Sequence, residues 1–69
     1  MLQDYQKRMV EEFKELNDRT EKFKKFIDEN PIFKTMELHK QKLQLWQYSA
    51  MDAYRSALRE RCFCEGFDP

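Results

Sequence analysis

Sixty-nine residues and 8.6 kDa allow one small domain, and a chain this short hides only roughly 60% of its unfolded surface. Thirteen Lys and Arg against thirteen Asp and Glu leave no net charge, which favours neither nucleic acid nor an anionic membrane as a partner. One glycine and two prolines exclude a strand-and-turn fold or a glycine-rich phosphate loop, so a helical chain completed by further copies of itself is expected.

The opening residues, Met1-Leu2-Gln3-Asp4, lack the basic and apolar regions of a secretory leader. No apolar run approaches the roughly 20 residues of a membrane span, and a cytoplasmic protein is expected. Leu2, Met9, Leu16 and Phe23 recur every seven residues, with Tyr5, Phe13, Thr20, Phe26 and Ile27 beside them. This is a wide apolar stripe with coiled-coil spacing. Asp4–Arg8, Glu15–Arg19, Asp18–Lys22 and Glu21–Lys25 place acid before base at i,i+4, each pair contributing about 0.2–0.5 kcal/mol. The pattern predicts a helix over about 2–29.

Asn30-Pro31 breaks it, because proline disfavours helical geometry in the residue before it and has no amide donor. A turn over 30–34 follows. Thr35 is the expected N-cap of a second helix over about 35–62. Its inner stripe reads Met36, Leu43, Trp46, Ala50, Tyr54, Ala57, Leu58 and Cys62, with Ala50, Ala53 and Ala57 allowing close backbone approach. A tail over 63–69 ends the chain. So short a connection makes the helices antiparallel neighbours. Residues 1–69 are thus read as a single all-α domain, a two-helix antiparallel hairpin. Two helices enclose no interior, and Val10, Phe13, Met51 and Leu58 form a second apolar surface. Assembly into a helical homo-oligomer is therefore expected.

Little in the chain suggests catalysis. Cys62 and Cys64 are too close for an unstrained disulfide, and a zinc site would need two further ligands where His39 is the sole histidine. They read as free thiols, with no metal and no cofactor. His39 has no nucleophile at a telling spacing, Ser49 and Ser56 lie in a helix interior, and Glu11-Glu12 is a solvated pair. The chain is read as a binder and not an enzyme. Lys22, Lys24, Lys25, Lys34, His39, Lys40 and Lys42 gather around the turn, either as a solvated face or as a small-anion site. A nucleotide would also want an aromatic platform, at about 1–3 kcal/mol per stacked base. Tyr5, Phe13, Phe33, Trp46 and Tyr54 could supply it, although each serves equally well as a packing residue.

Gln6, Arg8, Val10, Glu12, Phe13, Leu16, Lys22, Phe26 and Ile27 follow the spacing Q-x-R-x-V-x-E-[YF]-x-x-L…K…F-I. After the turn, Phe33 and Met36 stand at F-x-x-L, and Gln41, Leu43, Gln47, Met51, Tyr54, Leu58 and Arg61 continue the pattern. Over about residues 5–62 the chain resembles small phage proteins of the anti-CBASS/anti-Thoeris hairpin domain family. The resemblance implies a sponge that takes up cyclic dinucleotide or cyclic trinucleotide signals of bacterial antiphage defence and does not degrade them. It also implies hairpins assembled commonly into hexamers, pockets between protomers, and residence in the cytoplasm of the infected host. Phe13, where the family typically has Tyr, would stack on a base. Arg8 and Lys25 are the nearest favourable charges, and Asn30 offers a side-chain amide. Asp28 and Glu29 stand where a basic residue would be more natural. They are unfavourable beside a dianion unless they face away or bind base edges. Two other readings stay open: a hairpin that binds an ADP-ribose-type signal, and a structural coiled-coil module that binds only protein.

Overall fold

A computed structural model describes residues 1–69. Three helices follow one another: α1 (Asp4–Glu29), α2 (Pro31–Thr35) and α3 (Leu38–Cys64). There are no strands, and α1 and α3 pack side by side in a rod of 48 × 16 × 14 Å. Phe23 meets Tyr48 and Asn17 meets Arg55, so the two long helices run antiparallel. No helix is long and apolar enough to cross a membrane.

The boundaries follow from local chemistry. Gln3 donates its backbone N–H to Gln6 Oε1 at 2.8 Å at the start of α1, where Asp4 suits the positive end of the helix dipole. Asn30 is extended at φ −83° and ψ 123°, as the following proline requires. Its Oδ1 then accepts the Ile32 N–H at 2.9 Å, capping α2 with Pro31 at the first helical position. The segment read as a turn is therefore a helical turn of its own. Thr35 does not cap the next helix. Its hydroxyl donates to the Ile32 carbonyl at 2.8 Å, a local bond that closes α2, and Met36 is extended. Gln41 Nε2 donates to the Met36 carbonyl at 2.8 Å, tying the start of α3 back to the turn. Helix α3 accordingly begins at Leu38, three residues later than 35. It ends two residues beyond 62 in a Schellman arrangement, with Gly66 N–H on Phe63 O at 2.9 Å and Phe67 N–H on Cys62 O at 3.1 Å. Gly66 sits at φ 91°, the left-handed conformation that such a helix end requires.

Six residues are buried: Met9, Leu16, Thr20, Phe33, Leu58 and Cys62. The three from α1 lie on the expected stripe, flanked by half-buried Phe13, Phe23, Phe26 and Ile27. Thr20 is wholly enclosed, but its hydroxyl donates to the Leu16 carbonyl at 2.7 Å and is satisfied within the helix. Phe26 meets Phe33 edge-on with ring centres 6.1 Å apart, a favoured aromatic geometry that pins α2 under the end of α1.

The face that α3 turns inward departs from the sequence reading. The inward residues are Gln41, Gln44, Tyr48, Met51, Arg55, Leu58 and Cys62, each buried or half-buried and alternating in steps of three and four as a helix seam does. Leu58 and Cys62 of the expected stripe are buried and Met36 is half-buried, but Leu43, Trp46, Ala50, Tyr54 and Ala57 are exposed. Hydropathy favoured the wrong face because the true seam is partly polar. Arg55 lies within it, its side chain 17% exposed, reaching Asn17 at 3.0 Å and Glu21 at 2.6 Å across the interface. Met51 and Leu58, expected on a second surface, belong to this seam as well. Leu58→Ala should cost about 2–5 kcal/mol as a cavity opens in the seam. The same change at exposed Leu45 should stay within about 0.5 kcal/mol. Urea melts followed by circular dichroism, at one protein concentration, check the contrast.

Candidate functional site at the two ends of the hairpin

Two groups of side chains line open concavities, one at each end of α1. At the turn, Lys22, Lys25, Phe26 and Glu29 occupy positions i, i+3, i+4 and i+7, which share one helix face. Asn30 and Pro31 close the group, outlining about 400 Å³. Beside it, Glu21, Lys24 and Asp28 join Lys22, Lys25 and Glu29 around a second, wholly charged depression. The lysines therefore alternate with carboxylates, and the end is less cationic than a tally of its lysines suggests. Lys22 is also held by Asp18 at 2.9 Å, but both side chains are more than half exposed, so solvent weakens the pair. Asn30 Oδ1 is occupied by the Ile32 N–H, which leaves its NH₂ as the group that can donate to a ligand.

The other end repeats the spacing. Tyr5, Arg8, Met9 and Glu12 stand at i, i+3, i+4 and i+7 on α1, and Arg61 reaches across from α3 to enclose about 360 Å³. Neither Arg8 nor Arg61 is in an ion pair, so two guanidiniums face solvent beside the exposed Tyr5 ring. Guanidinium forks match phosphate oxygens in pairs, and an aromatic face accepts a base. Tyr54 donates its hydroxyl to Glu12 Oε1. That bond, helped by slight desolvation, raises the Tyr54 pKa and holds the carboxylate at the rim.

A single hairpin separates the four residues singled out in the sequence. Lys25 and Asn30 share the turn concavity, and Arg8 lies in the other. Seventeen positions divide Arg8 from Lys25, about 25 Å at 1.5 Å per residue. Phe13 is half-buried on α1 between them and lines neither. Arg61 entered the sequence reading only as a spacing match, because nothing in a linear chain shows that it meets Arg8 from the opposite helix. No cluster of three or more His, Cys, Asp or Glu is placed to hold a metal. Both cysteines are free.

A sequence model of one family, Sequestin, matches residues 3–63. The chain belongs to the Sequestin family. The match begins before α1 and ends within the last turn of α3, so it takes in both long helices, the turn, and every residue of the two concavities. The Sequestin name denotes sequestration, and in this chain both cation-bearing ends fall inside the family's bounds. No curated protein and no solved structure matches the chain.

The two thiols of this Sequestin protein differ in environment. Cys62 is buried and its pKa is raised, chiefly by desolvation, so it holds less of the reactive thiolate at a given pH. Cys64 is exposed. Alkylation at mildly alkaline pH should modify Cys64 about tenfold faster or more; peptide mass spectrometry over a time course reads the order. Cys62 reacting first would show that α3 opens at its C-terminal end.

Proposed function

We propose that this Sequestin protein is a phage-encoded sponge that binds a phosphate-bearing nucleotide signal of bacterial antiphage defence in the host cytoplasm and releases it unchanged. The observation that carries this reading is the pairing of cations with an aromatic ring at both ends of α1: Arg8 and Arg61 beside Tyr5, and Lys22 and Lys25 beside Phe26. Guanidinium or ammonium groups meet phosphate, and the ring meets a base. Holding such a ligand needs no nucleophile and no activated water. Ligand that binds only the folded form also stabilises it by mass action.

The first reading of the ligand is a cyclic dinucleotide or trinucleotide, following the resemblance to the anti-CBASS/anti-Thoeris hairpins. Phe13 then stacks on a base while Arg8, Lys25 and the Asn30 amide approach the phosphates. One hairpin holds these groups apart, so on this reading the pocket forms between protomers of an assembly such as a hexamer. A second reading, an ADP-ribose-type signal, is favoured by Glu12 and Glu29, which sit within the two concavities. A carboxylate accepts hydrogen bonds from the vicinal hydroxyls of a ribose, whereas beside a ring of phosphodiesters it is repelled.

Calorimetry with a cyclic dinucleotide, a cyclic trinucleotide, ADP-ribose and cyclic ADP-ribose tests both readings. Binding of one of them is expected, with the ligand recovered intact by chromatography after the protein is denatured by heat. Recovery of an opened or cleaved product would refute the sponge and point to an enzyme. On the first reading, Phe13→Ala weakens binding by about 1–3 kcal/mol per stacked base, and Glu29→Gln strengthens it by removing a like charge. On the second, Phe13→Ala changes little and Glu29→Gln weakens binding.

A further inference from the structure

Helix α3 carries two stripes. One faces α1. The other holds Leu43, Trp46, Ala50, Ala53 and Ala57, all exposed, again in steps of three and four. It lies about 150° around the helix from the first at about 100° per residue. That step pattern is the pattern of a helix-packing seam, yet nothing within the hairpin covers it. Trp46 is 72% exposed and Leu43 46%.

Bulk along this stripe is uneven. Leu43 and Trp46 fill the half nearer the turn, and three alanines fill the half beyond it. Parallel pairing of two such stripes stacks Trp46 on Trp46 and leaves alanine facing alanine across a gap. Antiparallel pairing centred near Ala50 lays the two large side chains of each copy against the alanines of the other, and the fit occurs twice about a two-fold axis. Charge agrees with size. Lys42 borders the bulky half and Glu60 the alanine half, on the same side of the stripe, and neither is in an ion pair within the hairpin. Antiparallel pairing brings each Lys42 towards the Glu60 of the other copy. Parallel pairing puts these residues of the two copies on opposite sides of the seam and forms no such pair.

We propose that the outer face of α3 binds the same face of a second copy of this chain, antiparallel and centred near Ala50. The proposal takes from the sponge reading only that the partner is another copy, and no ligand enters it. Along the rod's long axis the pairing sets Arg8 of one copy level with the Asn30–Pro31 turn of the other.

Sedimentation velocity of the full chain across micromolar concentrations, together with tryptophan fluorescence, tests it. Trp46 is the only tryptophan, so its emission reports on this face directly. The expected result is a stable dimer, or a larger even-numbered assembly, with blue-shifted emission. Lys42→Glu and Glu60→Lys should each raise the dissociation constant about tenfold by placing like charges together. The double variant Lys42→Glu/Glu60→Lys should restore assembly, which loss of folding would not do. A monomeric wild-type chain with water-exposed Trp46 overturns both this proposal and the assembly reading. An assembly with red-shifted Trp46 emission that ignores charge reversal overturns this face alone.

Discussion

The guanidinium of Arg55 decides how the hairpin closes. It sits in the seam between α1 and α3, only 17% exposed, with Nη1 on Asn17 at 3.0 Å and on Glu21 at 2.6 Å, and Nη2 on Asp52 at 2.7 Å. A cation held so far out of water must keep its partners, because removing one leaves a poorly solvated charge. Hydrogen bonds to Asp52 and then Glu21 raise its pKa further, so it stays charged at any ordinary pH. Its bonds to Asn17 and Glu21 cross the seam and favour one rotation of α3 about its axis. That rotation turns Tyr48, Met51, Leu58 and Cys62 inward and leaves Leu43, Trp46 and the alanines outside.

Everything else in the rod follows from so thin a seam. Six buried residues are few to hold two helices of 26 and 27 residues, and the ends depend on local devices. Asn30 caps α2, Gln41 ties the turn to α3, and Gly66 closes the C-terminus. Those same ends hold the cations. On each, four residues of α1 at i, i+3, i+4 and i+7 form a wall, and a residue from the opposing element completes it: Pro31 at the turn, Arg61 at the termini. Because α1 alone supplies most of both walls, their spacing is fixed by helix geometry, about 1.5 Å per residue. A ligand that needs both walls must meet them on two different chains.

The mixed charge of these walls bears on specificity. Glu29 beside Lys22 and Lys25, and Glu12 beside Arg8 and Arg61, reduce the net positive potential while adding acceptors. On the proposed reading, such a surface would favour ligands carrying hydroxyl donors along with phosphate over bare anions, which its carboxylates repel. Sequestration by selective contacts fits a chain with no net charge, since general electrostatic attraction would collect nucleic acid and metabolites alike.

Sequence alone determined the helical class, the break at Asn30-Pro31 and the buried stripe of α1, because each rests on local conformational preference or a strongly apolar period. Met9, Leu16 and Thr20 sit on that stripe as the spacing required. The family resemblance singled out Phe13, Arg8, Lys25 and Asn30 as a ligand set, but the sequence could not say which of them stand together. The Thr35 reading failed because the hydroxyl found a nearer acceptor in the Ile32 carbonyl. The inward face of α3 failed for a deeper reason. Two stripes with the same three-and-four spacing compete on that helix, and the more apolar one lost. Only the packed structure, through contacts 34 and 38 residues apart from Arg55 to Glu21 and Asn17, decides between them. Pairing energies across the seam are invisible to a reading that scores one helix at a time.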